Sequence, residues 1–481
     1  AMWLKVQGDV EAVMKQARKI LEALTQEGWQ AYMVGGAVRD LFLGVNHIDV
    51  DICTNAKPDE IRAMAIRRGW KTSDVGARFG SVLVVIAGIP YDVTTFRREE
   101  YGEDSHRPKK VEWGDSLLED LSRRDFTINT LCLDVNGDLY DPFDGLRDLR
   151  LGRIRAVGEA NVRFAEDGLR MFRAARFMAQ LGFSLDTDIF PAIVANRERV
   201  RGLSVERVRN ELEKTLLARH AAKGIHVLRM TGLLAETCRA KDEGVEQNVP
   251  ILPEIMHLYQ LPQNPKHHRL NAWRHVLDTV ERIEPQLALR WAALLHDVAK
   301  GLPGVRGVNA QGEWTDHRHD VVGTELTEDI LRRLRVDPQV ARRVIWLVRN
   351  HMHAPDLSRK SVVRWLRKRA VSFRDVEELQ QAVAQLFALY WADATATRTK
   401  PNDSLEQLLQ QVEPILQQTP FFVSQLAISG GDIAAELGSG PQVGAFQKNL
   451  LQRIQSGMLK NEADVLQQAL LLRKERQKQL Q

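Results

Sequence analysis

Two aspartates one residue apart, Asp49 and Asp51, follow a Gly35-Gly36 turn in this chain, and together these residue types could do phosphate chemistry. In an extended segment residues i and i+2 point the same way, so the run Ile48–Ile52 is expected to present both carboxylates on one face. Like charges side by side on a strand repel unless a counter-ion lies between them, so the pair is expected to hold a divalent metal. The backbone N–H groups of the glycine turn, opening an expected helix at Ala37-Val38-Arg39, can take phosphate. A phosphate cradle beside a carboxylate pair is what nucleotidyl transfer by two metal ions needs. Asp92, in Tyr91-Asp92-Val93, is expected on a later strand as a third carboxylate that accepts the proton.

Two further groups suit a nucleotide. In Arg123-Arg124-Asp125-Phe126-Thr127-Ile128-Asn129, adjacent arginines cannot both face one core, so at least one should reach a polyanion, which the planar guanidinium binds in a bidentate way. Asp125 and Asn129 are expected one helical turn apart, bracing the site or touching ribose hydroxyls. In the segment 166–176, Asp167, Arg170, Arg173 and more loosely Arg176 recur at i+3 and should share a helix face. Asp167 offers acceptors and Arg170 donors suited to the Watson–Crick edge of a base, and Arg173 and Arg176 continue a cationic stripe towards phosphates.

The elements that must position these residues fall into two regimes. Residues 10–25 read as an amphipathic helix with Val13, Ala17, Ile20, Leu21 and Leu24 on one face. From Ala31 to Asp141, β-like runs alternate with short helices and glycine turns, which predicts a small mixed α/β domain. From Glu159 onward the pattern is expected to be helical nearly throughout, with a His-rich block up to about Lys400 and a linker or cap at Pro401-Asn402-Asp403-Ser404.

Taken in order, the glycine turn with its D-x-D pair, the Arg-Arg-Asp segment, Asp141-Pro142-Phe143-Asp144-Gly145, the segment 166–176 and Leu203-Ser204-Val205-Glu206-Arg207 to Glu211 resemble the motifs of class II tRNA nucleotidyltransferases, the CCA-adding enzymes of the polymerase-beta-like superfamily. The resemblance covers about the first 220 residues. It implies that Asp49 and Asp51 bind catalytic Mg²⁺, that Gly35, Gly36 and Arg39 contact the triphosphate, and that Arg124 binds the sugar-phosphate. It further implies that Asp167 and Arg170 read CTP or ATP as an amino-acid template, with Arg173 and Arg176 nearby, and that Arg207 holds the template helix. Residues 97–110 would be a mobile lever resetting the pocket from C to A, although Asp104-Ser105-His106-Arg107-Pro108 exchanges His and Arg relative to the usual text.

His275, the doublet His296-Asp297 and Asp393 resemble the H…HD…D pattern of the HD metal-dependent phosphohydrolases. Imidazole and carboxylate ligands of this kind suit a divalent transition metal, and His317, His319 and His351 could extend the site to a second one. The expected fold class is therefore α+β, a small polymerase-beta-like mixed-sheet head followed by a mostly helical neck, body and tail. Boundaries are expected at 1–156 for the head, 157–255 for the neck and templating region, 256–400 for the HD-type domain and 401–481 for a tail. Glycines around Ile428–Ile433 and Gly438–Gly444 bracket a tail helix whose ends could meet tRNA phosphate.

The chain has 481 residues and a net charge of +4, which suits several domains and a polyanionic partner. Cys53, Cys132 and Cys238 are scattered without metal-ligand spacing, as expected of a reducing compartment. No secretion signal is expected in residues 2–19, nor any membrane span, and the location is expected to be cytoplasmic. The expected partners are tRNA, CTP and ATP, and no membrane. The expected reaction is CCA addition beside a phosphodiesterase or phosphatase activity; A-only or CC-only addition and poly(A) synthesis are the alternatives.

Overall fold

A computed structural model describes residues 9–45, 49–74, 80–101, 108–113, 116–268, 270–397 and 403–481, and it divides into two compact units. The first holds residues 1–256 with 333–336, the second 257–332 with 337–481.

Helix α1 (Asp9–Gln26) opens the first unit, burying Met14, Ala17, Ile20, Leu21 and Leu24 along one stripe. Strands β1 (Ala31–Val34), β2 (Asp51–Thr54), β3 (Lys71–Ser73), β4 (Ser81–Ile86), β5 (Ile89–Thr95), β8 (Cys132–Leu133) and β9 (Leu139–Tyr140) form a mixed sheet in the order β3-β4-β5-β2-β1-β8-β9. In β4 the buried residues Val82, Val84 and Ile86 alternate with half-buried ones, the period-2 pattern of a strand with one covered face. Helices α2 (Gly36–Leu43) and α3 (Pro58–Arg67) link strands of this sheet, and β2 lies parallel to β5, pairing Asp51 with Asp92. Between residues 97 and 113, the stretch in which the resemblance implied a lever, β6 (Arg97–Tyr101) and β7 (Pro108–Trp113) pair as a separate antiparallel ribbon. The Asp104–Arg107 text lies outside the described residues.

Short helices α4 (Leu117–Leu121) and α5 (Gly145–Leu151) flank the sheet. Gly145 is demanded by packing: a Cβ there would stand 2.1 Å from the Thr127 carbonyl oxygen. Asp141 caps the same turn by accepting from the Gly145 and Leu146 N–H groups, so the Asp141–Gly145 motif fixes the backbone that carries Asn129. The helices α6 (Ala160–Glu166), α7 (Leu169–Leu181), α8 (Ile189–Asn196), α9 (Val205–Leu217) and α10 (Ala221–Met230) follow.

The helical expectation past Glu159 fails at Thr237–Asp242 and Val245–Pro250, which pair as a hairpin. Its two-residue turn, Glu243-Gly244, takes positive φ at both positions, the geometry that matches strand twist. A second short hairpin joins Arg306–Val308 to Trp314–Asp316 in the other unit.

In that unit α11 (Ala272–Arg282), α12 (Leu287–Leu295), α13 (His319–Arg333), α14 (Pro338–Asn350), α15 (Arg359–Ala370) and α16 (Val376–Thr397) bury Trp273, Trp291, Leu347 and Leu386. Helices α17 (Asp403–Gln418), α18 (Gly430–Leu437), α19 (Pro441–Gln455) and α20 (Ala463–Gln479) complete the chain, with Ile433, Phe446, Leu450 and Leu466 in a small core of their own. Ser429 and Asp432 cap α18 reciprocally, so part of the N–H set expected to face phosphate is already satisfied. Among the described residues no helix is long and apolar enough to cross a membrane.

Candidate functional site

A cleft of about 470 Å³ in the first unit is lined by Gly35, Gly36, Arg39, Arg124, Asp125, Asn129, Asp167, Arg170, Arg173, Arg176 and Arg207, the nucleotide-binding set expected from the sequence, and by Asp51. Gly35 precedes α2 at φ 78°, a conformation that disfavours any Cβ, and a Cβ there would also come within 3.3 Å of an Arg124 guanidinium nitrogen. Arg39, on α2, donates to Asn129 Oδ1 at 2.6 Å. Asn129 in turn donates to Asp125 Oδ1 at 3.1 Å, from a 3₁₀ turn at Thr127–Asn129 and not from the α-helix expected there. Both Arg123 and Arg124 line the cleft, where the sequence required only one to do so.

The carboxylates arrange differently from the expected strand pair. Strand β2 begins at Asp51, and Asp49 precedes it in irregular backbone; Ile48 lies outside the described residues. Asp51 instead meets its strongest partner across the sheet, in register with Asp92. Asp51 is exposed and lines the cleft. Crowding by protein, followed by the like charges of Asp92 and Asp49, pushes its carboxyl up to about 6 against the pull of Arg124. Asp92 also accepts hydrogen bonds from the Ser81 and Thr94 hydroxyls. Hard oxygen donors that repel one another are a donor set suited to Mg²⁺.

Helix α7 contributes Arg170, Arg173 and Arg176 to the same cleft as Asp51. Asp167 lies just before the helix and accepts from the Leu169 N–H at 3.0 Å; burial lifts its carboxyl above the usual range although Arg170 and Arg207 oppose this. Arg170 is buried, donating to Glu166 at 2.8 Å and to the Arg123 and Arg163 carbonyls, so its guanidinium is held in one orientation. Arg176 bonds the buried Glu211 of α9. Three guanidiniums, those of Arg39, Arg173 and Arg176, stand 5.2, 5.2 and 4.5 Å from the centre of the Phe177 ring. The contact that Phe177 shares with three cations depends on tertiary packing of α2 against α7. Asp120 was missed altogether: it accepts from the Arg97 N–H and from Arg124, bracing the cleft rim.

In the second unit, α11, α12 and α16 bring His275, His296, Asp297 and Asp393 together, with ligand atoms all within 4.8 Å of one another. His275 Nε2 lies 2.7 Å from Asp393 Oδ1, and His296 Nε2 lies 3.3 Å from the same oxygen. Asp297 also meets His319 and His351 in a second such group, and His319 and His351 stand 3.2 Å apart; His317 joins neither group. Buried His296 Nε2 and Asp297 Oδ2 stand 3.1 Å apart, close enough for an ion pair but without hydrogen-bond geometry, an arrangement that a cation held by both would satisfy. Burial alone would lower the His296 pKa, but the Asp297 and Asp393 carboxylates lift it to about 10. The same burial opposes ionisation of Asp297, yet His296 and Lys300 hold it well below the usual carboxylate range. Mixed imidazole and carboxylate donors suit a divalent transition metal.

Residues 31–155 match the family described as the Poly A polymerase head domain, 182–238 the one described as the probable RNA and SrmB-binding site of polymerase A, and 269–398 the HD domain. A CCA-adding enzyme of Geobacillus thermodenitrificans is 49% identical over 219 residues, 46% of this chain and about half (53%) of that protein's length. One from Lactiplantibacillus plantarum is 37% identical over 319 residues, 65% of this chain and 76% of the relative. The crystal structure of the Bacillus stearothermophilus CCA-adding enzyme in complex with CTP is 27% identical, with a TM-score of 0.68 over 99% of this chain and 100% of that one.

Proposed function

The chain belongs to the CCA-adding enzymes, the class II tRNA nucleotidyltransferases, and on that premise we propose that it adds C, C and A to the 3′ end of tRNA from CTP and ATP. The observation that carries the reading is one cleft lined at once by Asp51, by Asp167 and Arg170, and by the guanidiniums of Arg39, Arg124 and Arg173.

In this reading the triphosphate lies against the Gly35-Gly36 turn and Arg39, and Arg124 meets the sugar-phosphate. Asp167 and Arg170 offer fixed acceptors and donors to the base edge, so selection is made by protein and not by a nucleic-acid template. Arg173, Arg176 and Arg207 hold that face in place, and Asp125 and Asn129 keep Arg39 and Arg173 aligned. The tRNA 3′-hydroxyl attacks the α-phosphate, pyrophosphate leaves in line, and Asp92 accepts the hydroxyl proton. Mg²⁺ held by Asp49 and Asp51 would acidify that hydroxyl and neutralise the leaving charge.

The second unit is proposed to hydrolyse phosphate esters, with His275, His296, Asp297 and Asp393 holding a divalent transition metal that would acidify water and polarise a phosphoryl oxygen. The buried His296 Nε2 and Asp297 Oδ2 atoms, which such a cation would satisfy, support this reading.

The test is incubation of purified protein with tRNA lacking its 3′ end and radiolabelled CTP or ATP, singly and together. Ordered C, C, A incorporation is expected. Long A tails would instead indicate a poly(A) polymerase, and incorporation of only C or only A a partial tRNA nucleotidyltransferase.

A further inference from the structure

A second concave surface in the HD-bearing unit has no role in either reaction above. A groove of about 610 Å³ runs between the end of α14 and the face of α15. Its walls carry Arg349, Arg364, Lys368 and Arg369, against the single carboxylate of Asp356. Arg364 and Lys368 are exposed, and Arg369 lies over the Trp365 ring at 4.7 Å with its Nε buried and lacking a hydrogen-bond acceptor. A half-buried guanidinium with an unused donor, beside two exposed cations, is an environment short of an anion.

The groove does not stand alone. Met352 and His353 line both it and a cavity of about 650 Å³ that His319 and Lys300 also line. Lys300 lies 3.2 Å from Asp297 and His319 lies 3.4 Å from it, so this cavity reaches the histidine–aspartate cluster through His319 and Lys300. Trp365 donates its indole N–H to the His353 carbonyl, and His353 bonds Asp320, which ties the shared rim to both surfaces. A strand of phosphates along the cations would therefore run towards His319 and Lys300, which stand beside Asp297.

We propose that the α14–α15 groove is a track for the phosphate backbone of single-stranded RNA, which makes a phosphorylated RNA end, rather than a free nucleotide, the preferred substrate of the histidine–aspartate site. This rests on the hydrolase reading given above and adds its substrate class. Hydrolysis would form a bond from water oxygen to phosphorus and break the bond to the terminal ribose oxygen, which leaves with a proton as a hydroxyl.

The experiment compares a short RNA ending in a 3′-phosphate with a nucleoside 3′-monophosphate, using the full chain with Mn²⁺, Co²⁺ and Ni²⁺ supplied in turn. The wild type is expected to favour the RNA by about tenfold or more in kcat/KM. Arg364→Glu with Lys368→Glu should erase that preference through KM and leave the mononucleotide within about twofold. Reversing the exposed Lys15 and Lys19 of α1 to Glu controls for net charge. Equal use of the two substrates by the wild type, or an RNA preference that survives the groove reversal, overturns the proposal. If neither substrate is cleaved with any metal, the hydrolase reading fails, and the track is then judged by binding of a fluorescent RNA. Loss of two phosphate contacts should flatten the salt slope of that affinity by about 1.4, the value expected for a single strand. An unchanged slope and affinity would sink the track by itself.

Discussion

Arg173 Nε donates to Asp125 Oδ2 at 2.6 Å, tying α7 to the Arg-Arg-Asp segment that precedes it by 48 residues. Asp125 is 6% exposed, so the pair behaves as an internal clamp between α7 and the Arg-Arg-Asp segment. Burial alone would raise the Asp125 carboxyl, but Arg173, Asn129 and Arg170 outweigh it and hold it at about 2. An unfolded aspartate titrates near 3.9, so this clamp stabilises fully above about pH 4 and is lost as pH falls towards 2. Arg173→Ala should lower unfolding free energy at pH 7 by about 3 kcal/mol, because it strands a buried carboxylate. Urea midpoints at pH 7 and pH 3 check this: the gap between variant and wild type should shrink at the lower pH. A constant gap would mean that the ion pair does not carry the effect.

How much of this could be read without coordinates depends on how local each signal is. Gly35, Arg124, Asp167 and Arg170 announce themselves through turn and helix spacing, and they do come to line one cleft. The partnership of Asp51 with Asp92 could not be read that way, because it rests on parallel pairing of β2 and β5, which lie apart in the chain. The same holds for Phe177, whose three cation contacts come from α2 and α7 together. The hairpin at 237–250 was lost for a different reason: its second strand, Val245–Pro250, is exposed almost throughout and so carries no apolar alternation. In the histidine block, burial separates His319 and His351, which join Asp297, from His317, which does not.

Asp51 should reveal itself through stability as well as activity. Its folded carboxyl titrates near 6, above the unfolded value of about 3.9. The sign is opposite to that of Asp125: protonation favours the fold, so this contribution is full below about pH 4 and is lost as pH rises through 6. Asp51→Asn should therefore abolish CTP incorporation yet raise the metal-free melting temperature at pH 8 by about 2–4 °C. Calorimetry in EDTA measures it, and a variant that melts lower than wild type would show that the carboxylates do not strain one another.

Base selection should depend on the group that aims Arg170 as much as on Arg170 itself. Glu166 accepts from Arg170 at 2.8 Å, and the Arg123 carbonyl fixes a second donor. Arg170→Ala and Glu166→Ala are both expected to cut discrimination between correct and incorrect nucleotide by about tenfold or more. The affinity for tRNA should change little. Misincorporation assays with each of the four triphosphates give the ratio. Unchanged selectivity in Arg170→Ala would remove Arg170 from the templating role.

The two proposed reactions map to separate units, so they should be separable by substitution. Asp49→Ala is expected to abolish nucleotide incorporation while leaving hydrolysis of a 2′,3′-cyclic nucleotide intact. His296→Ala should do the reverse, since it removes an imidazole that lies 3.1 Å from Asp297 and 3.3 Å from Asp393. The site would keep its two carboxylates and His275 but lose an imidazole donor, so metal affinity should fall by about 10-fold or more. Metal content after dialysis against limiting Mn²⁺ or Co²⁺ reads this directly, without relying on turnover. If either substitution removes both activities from a protein that still melts cooperatively, the sites are not independent and the assignment of one reaction to each unit is wrong.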